Sequence, residues 1–456
     1  MGLFNNRYGH VIQGTSQRPL RRPTTLTSER EMSYDPAVRP DPTTAGPAAA
    51  AAASPGTPPP DTQLSGRARF LGAMFLMATS AIGPGFIVQT TTFTNQLKAA
   101  FAFAIAVSIL FDIAIQLNVW RVIGVSGRRA QDLANSVVPG AGYALSALDV
   151  LGGLVFNIGN IAGCSLGLNA IFGLDVRIGA AISAVVAIGV FLVRRAGVAM
   201  DRVVVLLGLV MIALTTLVTL RTQPPLGDAL VQTVSPDTAS FLVITTLIGG
   251  TVGGYIVYAG AHRMVDNGIK GEVYVPQITR SSILGVAITG VMRVLLFLAV
   301  LGVVAGGAKL GELNPAGDAF KSALGTGGEI VFGIIMWSAA ITSVIGASYT
   351  STSFLKVMGS WVGRFERWVV CGFIVVSTTV FLVAATTPVK LLIFAGAFNG
   401  LILPFGLGIL LWIAARRRDL LGGYRYPTWL IVIGLVAWVA TIYLGWNALT
   451  GLKNLF

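Results

Sequence analysis

Residues 70–98 read FLGAMFLMATSAIGPGFIVQTTTFTNQLK. The stretch opens as an apolar membrane helix and is interrupted at Gly83-Pro84-Gly85. Proline has no amide hydrogen and clashes with the preceding turn, while glycine on either side removes stiffness. Beyond the interruption the chain turns polar, with Gln89, Thr90, Thr91, Thr92, Thr94, Asn95 and Gln96. Backbone polar groups in lipid must be paired, so unwound chain at membrane depth survives where it lines a cavity. A discontinuous helix at that depth points to a transporter's binding site. A proline kink in a structural helix is the plainer alternative, and a second matching interruption is what tells against it.

The whole chain supports a membrane setting. Of 456 residues, 54% are hydrophobic and only 11% charged, and the mean hydropathy is +0.76. Spanning helices need about 20 mostly apolar residues each, which such a composition supplies many times over. The net charge of +13 sits mainly in short loops and the N-terminal tail, so a membrane surface accounts for it without nucleic acid. Cys164 and Cys371 lie inside apolar runs and read as packing residues, not as a disulfide framework or metal site.

Residues 1–65 are rich in Arg, Pro, Thr and Ala and can bury no core, so they read as a disordered cytoplasmic tail. The tail has no apolar stretch of the signal-peptide kind. The transporter domain is expected over 66–456. Eleven apolar segments follow, near 68–98 (broken), 101–124, 144–171, 177–194, 202–220, 238–262 (broken), 280–305, 329–355, 367–387, 389–415 and 427–449. With the tail inside, the inner loops carry fifteen Lys and Arg residues and the outer loops seven. That bias predicts a multi-pass protein of the cell membrane with a cytoplasmic N-terminus.

The second interruption is in segment six, FLVITTLIGGTVGGYIVYAGAHR, where Gly249-Gly250 and Gly253-Gly254 bracket Thr251. Four glycines within six residues make poor helix. Breaks in the first and sixth segments suggest two inverted five-helix repeats with the substrate between them. Close packing of small residues is the competing explanation for each helix taken alone.

From about Arg67 onward the chain resembles the Nramp family, natural resistance-associated macrophage proteins. The family's first helix runs roughly LGPGFLVSVAYMDPGN, and residues 71–86 here run LGAMFLMATSAIGPGF. Gln116 in segment two, LNAIFG at 168–173 and ILPFGLGILLWIAARRRDLLG at 402–422 continue the likeness in order. The resemblance implies a proton-coupled secondary carrier of LeuT-type fold, all-α, with helices 1 and 6 broken.

The departures from the family are as informative. Its metal ligands, the Asp and Asn of Asp-Pro-Gly-Asn and the Met of Met-Pro-His, align with Gly83, Phe86 and Gly253; the motif's His aligns with Tyr255. Acidic third-helix positions of the proton route align with Asn157 and Asn160, and a polar tenth-helix position with Gly396. A dehydrated divalent cation needs carboxylate or comparably strong donors, and softer metals favour sulfur or imidazole. Those donors are missing, so no resident metal or cofactor is expected.

What such a site favours instead is negative charge. A helix that restarts after a break presents unpaired amides and the positive end of its dipole. Half-helices beginning near Phe86 and Tyr255 would aim both at the centre, flanked by Pro84, Gly85 and Gly254. An anion or a carboxylate-bearing solute fits that field. Gln89 and Thr90 are candidate extra donors, with back-bonding into the helix the alternative for threonine.

Few ionisable residues lie inside segments. Arg293 is the most conspicuous, since a membrane-embedded charge is costly and normally paired. A structural pair with Asp112 or Asp149 is the favoured reading, and a place on the substrate path the other. His262, the one histidine outside the tail, and Asp149 are candidates for proton coupling. No catalytic constellation or phosphate-binding loop is present. The leading expectation is transport of a small anion, bicarbonate-sized upward. The alternatives are a divalent cation such as magnesium, manganese or iron, and a sensor or scaffold that transports nothing.

Overall fold

The computed structural model describes residues 83–193, 196–356, 359, 361–384 and 386–453, with the side chains of 194–205 and 452–453 excepted. The expected tail at 1–65 and the first half of the interrupted helix, 68–82, lie outside the described residues.

Within the described residues the chain is helical throughout. In order the helices are α1 Pro84–Leu97, α2 Phe101–Ser126, α3 Ala130–Val137, α4 Ala141–Phe172, α5 Val176–Leu192, α6 Ala196–Thr222, α7 Leu226–Val234, α8 Phe241–Thr251, α9 Tyr255–Asp266, α10 Val275–Ala305, α11 Pro315–Leu355, α12 Trp361–Arg364, α13 Glu366–Val383, α14 Pro388–Arg416 and α15 Thr428–Lys453. Each of the eleven expected segments finds a helix. Among the described residues eight spans are long and apolar enough to cross a membrane, or nine counting α6 with α7, which meet at 106°. That is consistent with eleven, because α1 runs on into α2 in that count and α5 is shorter than a full span.

Local sequence explains the ends. Proline begins α1, α11 and α14 at a position where its missing amide costs nothing. Asp175 caps α5 by accepting the Arg177 amide, and Gly127 and Gly173 end α2 and α4 in the left-handed conformation. Gly325, at φ 72°, divides α11 near its start, which is why the apolar segment read from sequence begins only at 329.

Helix α4 is the centre of the bundle, packed along α11 and α14 and touching α1. Its glycines make that closeness possible. A β-carbon on Gly163 would stand 2.2 Å from Pro84 Cβ, and one on Gly167 2.7 Å from the Trp337 backbone nitrogen. Gly159 abuts Leu392 on α14, and Gly153 abuts Ser351 on α11. One face of α4 is therefore nearly bare backbone.

Candidate functional site

Two helix starts lie along the central helix α4, Pro84 against Gly163 and Tyr255 against Phe156. At the first, Gly83 precedes α1 with φ −83° and ψ 167°, and the Ile87 amide donates to its carbonyl at 3.2 Å. The first half-helix thus begins at Pro84, two residues earlier than Phe86. At the second, α8 ends at Thr251 and α9 begins at Tyr255 after Gly254, at φ 43° and ψ −125°. The glycine-rich interruption expected around Thr251 is therefore a real break, three residues wide.

Phe86 is buried, and the Arg293 guanidinium lies over its ring, 4.6 Å from the centroid. Cation and ring attract through the ring's quadrupole, more strongly where water is scarce. Among the described residues Arg293 Nε and Nη2 have no hydrogen-bond partner. The expected structural ion pair is not formed. The four ion pairs among the described residues involve other groups, and no Arg293 nitrogen comes within 4.0 Å of a carboxylate oxygen. Asp149 is engaged elsewhere, accepting from Gln131 Nε2 at 2.9 Å. Asp112 is the charged group that acts on Arg293, at longer range.

The candidate donors on α1 are mostly committed to the fold. Thr90 Oγ1 donates to the Phe86 carbonyl at 2.7 Å, so back-bonding is what this threonine does. Gln89 Nε2 donates to the Leu392 carbonyl on α14 at 2.9 Å, while its Oε1 has no partner. A β-carbon on Gly250 would stand 2.8 Å from that Oε1, and one on Gly396 would stand 2.5 Å from Nε2. Gln89 is thus a clip joining α1 to α14 and α8. Gly85 leaves room for it, its own β-carbon position being 3.6 Å from Nε2.

The positions aligned with metal ligands offer little beyond carbonyls, and those are in use. Gly83 O accepts from Ile87, Phe86 O from Thr90, and Gly253 O from the Ile256 amide at 3.0 Å. Among the described residues no three His, Cys, Asp or Glu side chains gather as metal ligands.

Helix α4 carries the asparagines. Asn157 Nδ2 donates to Ser348 on α11 and Ser377 on α13, both at 3.0 Å, so it holds three helices in register. Asn160, one turn on, is fully buried and neither atom of its carboxamide has a partner. It lies on the strip of α4 between Phe156, whose ring meets Tyr255 edge-on at 5.7 Å, and Gly163, which abuts Pro84. Residues at that spacing share a helix face, so Asn160 sits between the two helix starts.

His262 has a local job. Its Nε2 accepts the Ala130 amide at the start of α3 at 3.0 Å, and its ring packs edge-on against Phe354 at 5.6 Å. A lone pair used in this way is not available to a travelling proton. Asn399 on α14 was not singled out from sequence. Its Nδ2 donates to the Gly152 and Ala395 carbonyls at 3.1 and 2.9 Å, and its unpartnered Oδ1 faces Gly254. An asparagine alone in the run LIFAGAFNGLILP was the available signal.

A multi-pass helical bundle with two helix starts set along its central helix has the architecture of a LeuT-type transporter fold. Comparison with known proteins gives the family. Residues 74–450 match the Nramp model, natural resistance-associated macrophage protein-like, and the chain belongs to that family. It is 53% identical over 375 residues to the uncharacterized membrane protein YcsG of Bacillus subtilis, covering 82% of this chain and 92% of that one. A membrane protein of Haemophilus influenzae is 51% identical over 365 residues, covering 80% and 91%. Among solved structures, a manganese transporter of Eremococcus coleocola superposes with a TM-score of 0.60 at 15% identity, covering 86% and 88%. MhsT, solved with L-phenylalanine bound, superposes with a TM-score of 0.60 at 15% identity, covering 82% and 98%. The chain is a transporter of the Nramp family, a multi-pass membrane protein acting on a small solute or ion.

Proposed function

We propose that this transporter carries a small anion or carboxylate-bearing solute. The observation that carries the reading is Arg293, a buried cation at the first helix start with two unpartnered nitrogens over the Phe86 ring. The starts of α1 and α9 add positive dipole ends. We place Gly83, Pro84, Phe86, Gly253, Gly254 and Tyr255 around the solute, with Asn160 and Arg293 as the side chains that meet it. Gln89 and Thr90 hold the surrounding helices. Loop charge supports a cell-membrane location with residues 1–65 as a cytoplasmic tail.

A divalent cation is the competing substrate, favoured by family membership and by the fold shared with the manganese transporter of Eremococcus coleocola. Uptake into proteoliposomes of lactate, glutamate, bicarbonate, manganese and magnesium separates the two. Wild type should take up at least one of the anions. Arg293→Gln should lower that uptake by about ten- to 150-fold, the equivalent of roughly 1.5–3 kcal/mol for a hydrogen bond to a charged group. Arg293→Lys should retain part of it. Manganese uptake without anion uptake, unaffected by Arg293→Gln, would overturn the anion reading. Binding with no uptake of any solute would favour a sensor.

A further inference from the structure

Asp112 on α2 is buried, 1% exposed, and its Oδ1 has no hydrogen-bond partner. Two groups act on it: Arg293 from α10 and the Thr251 hydroxyl, the last residue of α8 before the second break. Asp112 is thus linked to Arg293, which lies over Phe86 on α1, and to Thr251 at the edge of the α8–α9 gap. Among the described residues Arg293 is the charged group that acts on it. Of the others on helices packed on α2, Asp266 pairs with Arg129, Arg263 acts on Tyr255, Lys390 is half-buried at the start of α14 and Arg416 is exposed. Helices α1 and α8 carry no ionisable side chain. On α9, Tyr255 turns to Phe156 and His262 to the start of α3. Asp228 on α7 and Arg280 on α10 are exposed.

Thr251 gives the carboxyl two ways to bond. Its hydroxyl donates to the Leu247 carbonyl at 2.8 Å. With that hydrogen committed, a bond between Asp112 and Thr251 Oγ1 needs a hydrogen from the carboxyl. With Asp112 ionised, the hydroxyl can turn and donate to it instead. Both protonation states are thus accommodated at the end of α8 without moving the backbone.

We infer that Asp112 is the site of a coupling proton, taken up together with the anion that Arg293 binds. The inference rests on the anion reading above. In the empty carrier Asp112 and Arg293 balance each other. An arriving anion would leave the buried centre with one uncompensated negative charge, which is costly away from water. A proton from the solution on the anion's side, bonding to a carboxyl oxygen of Asp112, restores neutrality. It leaves on the other side when the anion does, and nothing is oxidised or reduced. This differs from the route expected from sequence, where His262 and Asp149 were the suspects.

The test is anion affinity against pH, using purified full-length protein with lactate, pyruvate, succinate and glutamate. Because binding takes up a proton, affinity for the best of these should fall about tenfold per pH unit as pH rises between 6 and 8. Asp112→Asn should hold the affinity constant within about twofold over that range, and Asp112→Glu should restore the slope. Wild type that binds an anion with no pH dependence would overturn the proton linkage and leave the anion site standing. A slope that persists in Asp112→Asn would overturn the assignment to Asp112. No binding of any of the four would overturn this inference, and the anion reading falls with it if bicarbonate uptake is absent as well. If Asp112→Asn is not monodisperse, calorimetry of wild type in two buffers of different ionisation heat counts the protons directly, with one expected and none overturning the inference.

Discussion

The two helix starts do the same work by different means. Gly83 enters α1 with backbone angles open to any residue, and among the described residues a β-carbon there would meet only Ser343 Oγ, at 3.9 Å. Gly254 enters α9 at φ 43° and ψ −125°, and a β-carbon would stand 2.4 Å from Asn399 Oδ1. The first start is written into the covalent chemistry of Pro84. The second exists because a residue without a side chain can hold a conformation that others avoid. One break therefore tolerates chemistry at its cap, and the other tolerates none.

Substitution at the two glycines sharpens that contrast. Gly254→Ala should have the largest effect, adding about 1–3 kcal/mol of backbone strain and about 1–3 kcal/mol of overpacking against Asn399 and Ile402. A fall of several degrees in melting temperature with loss of uptake is expected; an unchanged melting curve would show the second break to be as permissive as the first. The same crowding makes Gly254→Asp a poor probe of substrate charge, because it would damage the fold whichever ion is carried.

Gly83→Asp is the cleaner probe. Aspartate is a favoured helix cap, worth only a few tenths of a kcal/mol over glycine, so the cap itself should not lower the stability of the variant. Its carboxylate would stand beside the first helix start and should cut anion uptake by at least tenfold. Gain of manganese binding with anion uptake intact would mean that Gly83 does not border the solute.

The smallest effect should come from Thr90→Val. With its hydroxyl bonded to Phe86 O, its loss should change apparent anion affinity by less than about twofold. A tenfold change would show that the hydroxyl leaves Phe86 when the solute binds.

Much of this architecture was legible in the sequence because it rests on local chemistry. Gly83-Pro84-Gly85 and the four glycines around Thr251 mark the breaks, and each apolar segment marks a helix. The short helices α3 and α7, of eight and nine residues, carry too few apolar positions to register as segments. The site was legible in its parts but not in its pairings. Arg293 stood out as an intramembrane charge, yet its neighbour is the Phe86 ring, with Asp112 beyond ion-pair distance. Sequence gives residue types, and distances between helices are set only when they pack. Likewise Gln89 looked free to donate until Leu392 O was found beside it, and Asn399 was passed over because its partners are backbone carbonyls.

The bare face of α4 has a further consequence. Side chains that interlock fix neighbouring helices in discrete registers, since each shift must carry them across rotamer barriers. At Gly153, Gly159, Gly163 and Gly167 the neighbours' Ser351, Leu392, Pro84 and Trp337 approach the α4 backbone itself, while Phe156 and Asn160 protrude between them. Small sliding of packed helices is one of the ways proteins change state, and a shift of α14 along α4 would have to break the bond from Asn399 Nδ2 to the Gly152 carbonyl.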